Sequence, residues 1–238
     1  MHPSHPTSGI PTTPPVPGTA GYAEAADTLA VQYEEVTFEQ VHARVLHLLP
    51  AAPARILDLG AGTGRDAAAL AARGHQVLAV EPTAELRAHG RRLHPDPAIT
   101  WLDAALPDLT LPHHAALEAT FDATSDAAFD ATFDATSDAA FDAVFATAVW
   151  MHLAPAERER SMARIAALLA PAGRLFLTLR HGPVPPGRVM YDVSAAETTT
   201  LAARHHLHPV HHSERQDLHS RNGVTWSELA FRADPVQP

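Results

Sequence analysis

Arg55-Ile56-Leu57-Asp58-Leu59-Gly60-Ala61-Gly62-Thr63-Gly64-Arg65 is the stretch from which the rest of the chain can be read. Ile56 to Leu59 is a short apolar run holding one acid, the pattern of a strand buried on both faces of a parallel sheet. Gly60, Gly62 and Gly64 then remove the Cβ at alternate positions, where the chain must turn and a ligand must come close. Asp66 opens an alanine-rich helix former that closes at Gly74. Strand, glycine turn and helix in this order make a cradle for a nucleotide-type cofactor, with backbone N–H groups and a helix N-terminus facing the ligand.

Working outward, a chain of 238 residues fits one domain with extras, and 46% hydrophobic residues suffice for a core. Cysteine is absent and all 17 basic residues are arginine. Thiolate chemistry, disulfides and lysine Schiff bases are therefore excluded. The net charge of −10 argues against a general nucleic-acid surface, although a local basic patch is compatible with it. No apolar run reaches the ~20 residues that span a bilayer, and the N-terminus lacks the pattern of a signal peptide. A cytoplasmic protein without membrane partners is expected. Its 17 histidines make the surface charge sensitive to mild acid.

Residues 1–20 are rich in proline, serine and threonine and read as a disordered leader; residues 21–238 read as a single domain. Helical spacing runs from Tyr22 to Tyr33 and from Phe38 to Leu49, ended by Pro50 and Pro53. Gln76–Glu81 is a second strand, with Thr83 as N-cap of a helix over Ala84–Leu93; Ile99–Asp103 is a third. Successive β-α units imply a parallel sheet with right-handed crossovers. Further on, Phe141–Val149 is a fourth strand and Ala156–Leu169 a helix with Pro155 at its N1 position. Pro171-Ala172-Gly173 turns into a fifth strand, Arg174–Leu179. Ser194–Glu197 is a capping box opening a helix to about His206. Pro209–Gln216 and Val224–Arg232 are strands around the turn signal Arg221-Asn222-Gly223.

Before the fourth strand, residues 121–132 (FDATSDAAFDAT) are duplicated as residues 133–144 (FDATSDAAFDAV). Aspartates every fourth residue repel along a helix and share one face of a strand. The segment at about 115–140 therefore reads as a low-complexity loop insertion without chemistry, lying on the side away from the cradle.

Taken together, Asp58-Leu59-Gly60-Ala61-Gly62-Thr63-Gly64 resembles the first motif of class I S-adenosylmethionine (SAM)-dependent methyltransferases. The strand order and terminal hairpin resemble that family from about Tyr22 to Arg232. The resemblance implies an α/β fold: a doubly wound, mainly parallel seven-stranded sheet with a C-terminal antiparallel hairpin and helices on both faces. It implies SAM as cofactor, bound by Asp58, Gly60, Ala61, Gly62, Gly64, Arg65, Glu81, Pro82, Asp103, Ala104, Val149 and Trp150. Within that set Glu81 takes the ribose hydroxyls, Asp103 and the Ala104 backbone lie near the adenine, and Val149–Leu153 lines the methyl-donor pocket. Leu168–Leu175 resembles the family's entry to strand five, with Ala172 in place of a glycine.

The resemblance leaves the acceptor open; with an acidic chain and no appended nucleic-acid module, a small-molecule acceptor is expected. Candidates for a general base or substrate contact are His152 and His181, at C-terminal strand ends, and Tyr191. Tyr22, Tyr33 and Tyr191 are candidates for a lid over the substrate, with amphipathic core packing the preferred reading for Tyr22 and Tyr33. The histidines at 205, 206, 208, 211 and 212 lack carboxylates at ligand spacing, so no metal site is expected. Two alternatives stay open. Counted from Gly62, the loop also fits the G-x-G-x-x-A of an NAD(P)-dependent oxidoreductase. A non-catalytic SAM-binding or interaction protein is the other.

Overall fold

The computed structural model describes residues 16, 18–111 and 141–235. In order these form α1 (Ala26–Glu34), α2 (Phe38–His42), β1 (Arg55–Leu59), α3 (Arg65–Ala71), β2 (Gln76–Val80), α4 (Ala84–Leu93) and β3 (Ile99–Leu102). Then come β4 (Phe141–Thr147), α5 (Pro155–Leu168), β5 (Leu169–His181), α6 (Ala195–Arg204), β6 (Leu207–Gln216) and β7 (Thr225–Ala233). The sheet order is β3-β2-β1-β4-β5-β7-β6. β1 to β5 pair in parallel, while β7 runs antiparallel to both β5 and β6. This is the seven-stranded arrangement expected from the sequence.

The strands' alternation divides the core into two layers. Leu57, Leu59, Leu78, Val144, Leu175 and Leu177 face one way and pack with Met162 and Ile165 of α5 and Leu201 of α6. Ile56, Val77, Ala79, Phe145 and Phe176 face the other way and pack with Phe38 of α2 and Ala67 and Leu70 of α3. Phe145 and Phe176 stack there with ring centroids 4.5 Å apart. With helices on both faces, the strands need apolar residues in and out, hence their unbroken apolar runs. The sheet order reverses between β1 and β4, which opens a crevice at the C-terminal strand ends.

Several boundaries move for local reasons. The helix expected over Phe38–Leu49 breaks in two: Thr37 and Gln40 cap α2, which stops at His42, and a short 3-10 turn covers Leu46–Leu48. Thr83 takes the N-cap position of α4 but makes no side-chain cap bond. Only half of the Ser194–Glu197 capping box forms. The Glu197 N–H donates to Ser194 Oγ, while the Glu197 carboxylate pairs with buried Arg158 at 3.0 Å. β4 stops at Thr147, where Ala148 adopts a φ of 61° and Trp150–His152 forms a 3-10 turn. β5 begins earlier than expected because Leu169 pairs with Phe141 before a register shift absorbs Pro171–Gly173. The hairpin turn is organised by Asp217 rather than by Asn222-Gly223 alone. Asp217 accepts from Arg221 Nε at 2.9 Å, from Trp226 Nε1 at 2.8 Å and from the His219 N–H at 3.1 Å.

Of the sequence's leader, residues 16 and 18–20 are described, and Gly18 lies against the body: a Cβ on it would stand 2.7 Å from His152 Cβ. The repeat up to residue 140, and the side of the sheet expected for it, lie outside the described residues; its last copy enters β4 at Phe141 as expected.

One further fit positions the glycine loop. Trp101 at β3 lies between Gly64 and Gly90 of α4, with its indole 2.7 Å from where a Cβ on Gly64 would be. A Cβ on Gly90 would overlap the same ring. The indole therefore sits in a notch that two glycines leave open, one in the loop and one in the helix.

Candidate active site

The crevice at the reversal of strand order holds a cavity of about 470 Å³, a size suited to a small-molecule ligand. The glycine loop forms one wall. Gly60, with φ of 66°, has no space for a side chain because Val149 fills the position of its Cβ. Gly62 has φ of 57°, and Tyr33 Cε2 lies 3.3 Å from where its Cβ would be. Only glycine lets the loop take this path with the backbone turned to the cavity.

Glu81 leaves the C-terminal end of β2 and is 5% exposed. Its Oε2 accepts from the Gly62 N–H at 2.9 Å and its Oε1 from the Thr83 N–H at 2.7 Å. Burial pushes its carboxyl above the usual range, and these N–H bonds pull the other way. Asp58 also lines the cavity and is buried, with Oδ2 lacking any hydrogen-bond partner. Burial first, and the Asp66 charge next, push Asp58 well above an ordinary carboxylate.

Asp66, in the first turn of α3, is the opposite case. It accepts from Arg65 Nε at 2.8 Å and Thr147 Oγ1 at 2.9 Å, and bonds His42 Nε2 at 2.8 Å. Despite desolvation, the Arg65 and His42 contacts hold it below the usual carboxylate range. Arg65 is thereby committed to Asp66 and to the Tyr33 carbonyl at 3.3 Å.

A second wall comes from distant segments. His152 is buried, bonding Val189 O through Nδ1 at 2.7 Å and the Tyr22 hydroxyl through Nε2 at 2.9 Å. A carbonyl only accepts, so the proton is assigned to Nδ1, and Nε2 accepts from Tyr22. Burial lowers the His152 pKa and raises that of Tyr22, keeping both neutral at pH 7. Arg188 lies over the Tyr22 ring, 3.8 Å from its centroid, and donates to the Ala20 carbonyl at 3.1 Å. The N-terminal turn and the loop after β5 thus meet over this part of the cavity.

The sequence candidates fall out unevenly. Asp58, Gly60, Ala61, Gly62, Arg65, Glu81, Pro82, Ala104, Val149 and His152 line the cavity. Gly64 does not; it caps α3 in the left-handed region. Asp103 stands outside the lining, its side chain 68% exposed and paired with Arg87 at 2.8 Å. Trp150 is fully buried in the core rather than against the cavity. His181 points away, to Ser227 Oγ at 2.8 Å, because neighbours on a strand face opposite sides. Its neighbour Arg180 takes the cavity side instead. Tyr191 is 42% exposed and contributes only a backbone bond to Met151 O. Tyr22 and Tyr33, for which core packing is the preferred reading from sequence, line the cavity, and Tyr191 does not. Lining residues that the sequence did not single out for the site include Arg180, Arg188, Met190, Asp217, Arg221 and Trp226. Among the described residues, no group of three His, Asp or Glu side chains stands together as a metal site.

The sequence profile described as a methyltransferase domain matches residues 33–221. The chain belongs to the methyltransferase domain family. Its fold is the class I methyltransferase fold. Solved structures agree on that fold. The Burkholderia thailandensis 1,6-didemethyltoxoflavin-N1-methyltransferase, with bound 1,6-didemethyltoxoflavin and S-adenosylhomocysteine, is similar at 20% identity and a TM-score of 0.54. That match covers 97% of this chain and 98% of the other. A SAM-dependent methyltransferase from Mesorhizobium loti matches at 17% identity and a TM-score of 0.60, over 81% of this chain and 97% of that one. Phosphoethanolamine N-methyltransferase 2 of Haemonchus contortus, in complex with SAM, matches at 15% and 0.61, over 87% of this chain and 57% of that one. No curated protein sequence matches this methyltransferase. Family membership sets aside the oxidoreductase reading of the glycine loop.

Proposed function

We propose that this methyltransferase acts on a small-molecule acceptor, with SAM held by the glycine loop, Glu81 and Asp58. The observation that carries this reading is the Glu81 carboxylate, buried at the cavity edge and latched by two backbone N–H groups. Each of its oxygens keeps acceptor capacity for a ribose hydroxyl, a charge-assisted contact. Asp58 supports the same fit: an orphaned, buried carboxylate oxygen in the cavity wall suits the ammonium of the cofactor's amino-acid part. When bound, SAM supplies a methyl group already activated by a sulfonium.

The chain's own task is then to orient the acceptor, exclude water and take up a proton where the acceptor releases one. The hydrogen bond between Tyr22 and His152 supports a role for this pair in the last step. A neutral His152, its Nδ1–H fixed on Val189 O, can receive the Tyr22 proton at Nε2 while Tyr22 O takes the acceptor's. The enclosure supports a small acceptor, since Gly18, Thr19, Pro185, Arg188 and Leu218 all border the cavity. The net charge of −10 speaks against a nucleic-acid substrate.

Calorimetric titration tests the cofactor reading. Wild type should bind SAM and S-adenosylhomocysteine and ignore NADH. Glu81→Gln should weaken SAM by about 10- to 100-fold, the scale of a lost hydrogen bond to a charged group. Equal SAM affinity in wild type and variant would remove Glu81 from the site.

A further inference from the structure

The cavity of this methyltransferase is lined by Arg65, Arg180, Arg188, Arg215 and Arg221. Three of these are neutralised by carboxylates. Arg65 pairs with Asp66 at 2.7 Å, Arg215 with Glu228 at 2.6 Å and Arg221 with Asp217 at 2.6 Å. Arg180 and Arg188 have no carboxylate partner among the described residues. Arg180 projects from the C-terminal end of β5, opposite Trp226 of β7. Its Nε is buried without a hydrogen-bond partner, and its Nη1 donates to Met190 Sδ at 3.9 Å. Arg188 spends one N–H on the Ala20 carbonyl and lays its plane on Tyr22, leaving most of its five donors unused.

A half-buried guanidinium without a counter-charge is costly to a fold. Two bordering one enclosed cavity, both acting on the Tyr22–His152 pair, form a ready seat for a negative charge. Arginine's planar fork matches a carboxylate or phosphate. None of the acids that line the cavity pairs with these two: Asp66 and Asp217 are bonded to other arginines, although the Asp217 charge also reaches Arg180, Glu81 is latched to the backbone, and Asp58 sits in the cradle.

We propose that Arg180 and Arg188 select an acceptor bearing a carboxylate or phosphate, holding that group beside Tyr22 and His152. The proposal rests on the methyl-transfer reading for the word acceptor, but the anion seat can be tested without it. Three probes serve: 4-fluorobenzoate, phenyl phosphate and the uncharged 4-fluorobenzyl alcohol, titrated by 19F or 31P NMR with and without S-adenosylhomocysteine. At least one anion should bind wild type more tightly than the alcohol, and whichever binds better names the preferred group. Arg180→Gln and Arg188→Gln should each weaken that anion by about tenfold or more, as expected for a lost charged contact. The exposed control Arg204→Gln should not.

Two independent readouts accompany the titrations. SAM affinity should be unchanged in Arg180→Gln, and thermal unfolding of that variant should stay level or rise, because it removes an unpaired charge. Anion affinity unmoved by Arg180→Gln, a fall in its melting temperature, or no anion binding to wild type would each overturn the proposal. Failure of wild type to bind SAM would instead remove the cofactor reading, and the cofactor-free titration would still decide this one.

Discussion

The glycine-loop wall of the cavity is made from one local run of residues, Asp58 to Asp66 with Gly64 excepted, joined by one acid from the next strand. The wall at Tyr22 is made from side chains that are remote in sequence: Tyr22, His152, Arg180, Arg188 and Trp226. The first wall presents backbone N–H groups and three carboxylates, Asp58, Asp66 and Glu81; the second presents hydroxyl, imidazole and guanidinium. A backbone cradle serves a ligand shared across a family, because backbone chemistry does not depend on side-chain identity. Side chains collected from separate loops serve a ligand particular to one protein, since each can change alone. The same cavity thus carries a common part and a private part.

Variants on the private wall should act on turnover and spare the cofactor. His152→Ala removes the imidazole bonded to Tyr22 and, on the proposed role, should lower kcat by about 10²- to 10⁴-fold, the range for general-base removal. SAM affinity measured in parallel should not move; if it falls as far as kcat, the division between the walls is wrong. The readout is S-adenosylhomocysteine release across an acceptor panel.

At the foot of the common wall, Asp66→Asn should cost about 3 kcal/mol in urea unfolding at pH 7, since a buried charge network loses its centre. The pH sign follows from its depressed folded-state pKa. Stability from Asp66 is present above the unfolded value near ~4 and is lost as pH falls below it. The wild-type stability curve should therefore drop more steeply on that acid limb than the variant's. Asp58, held high by burial, works in the opposite sense, its contribution falling as pH rises. Equal acid limbs in wild type and Asp66→Asn would show that Asp66 is not the titrating centre.

The smallest effect should come from Gly90→Ala. In an exposed helix this change adds up to ~1 kcal/mol of stability. Here the new methyl meets Trp101, and a loss of about 1–3 kcal/mol is expected from overpacking. A gain in melting temperature would mean that the indole has room to move.

Legibility in the sequence follows the same division. Strand order, the cradle, Glu81 and the terminal hairpin could be read because they rest on local pattern: apolar runs, glycine spacing, acids at strand ends. Asp103 is an acid at a strand end too, but Arg87 draws it to the surface. Trp150 and Val149 are adjacent, yet only Val149 faces the cavity, because the chain leaves β4 through Ala148 at positive φ into a 3-10 turn. His181 was one residue from a cavity position; strand alternation gave that face to Arg180. The Arg180–Arg188 pair had no signature, because only folding brings a strand end and a loop against Tyr22. Asp66 was visible as a helix-opening acid, but its partners His42 and Thr147 come from other elements.

The notch that seats Trp101 gives the common wall a mechanical side. The indole acts as a spacer whose thickness fixes how far α4 stands from the glycine loop. A helix with glycine in its middle is weaker by itself, by about 1 kcal/mol. That weakness is the condition for a rigid gauge: any side chain at Gly90 would move either the helix or the ring. The ring abuts Gly64 at the end of the loop whose Gly62 N–H holds Glu81. The setting of the Glu81 carboxylate is thus tied to an absent methyl group on a helix that does not itself bear it.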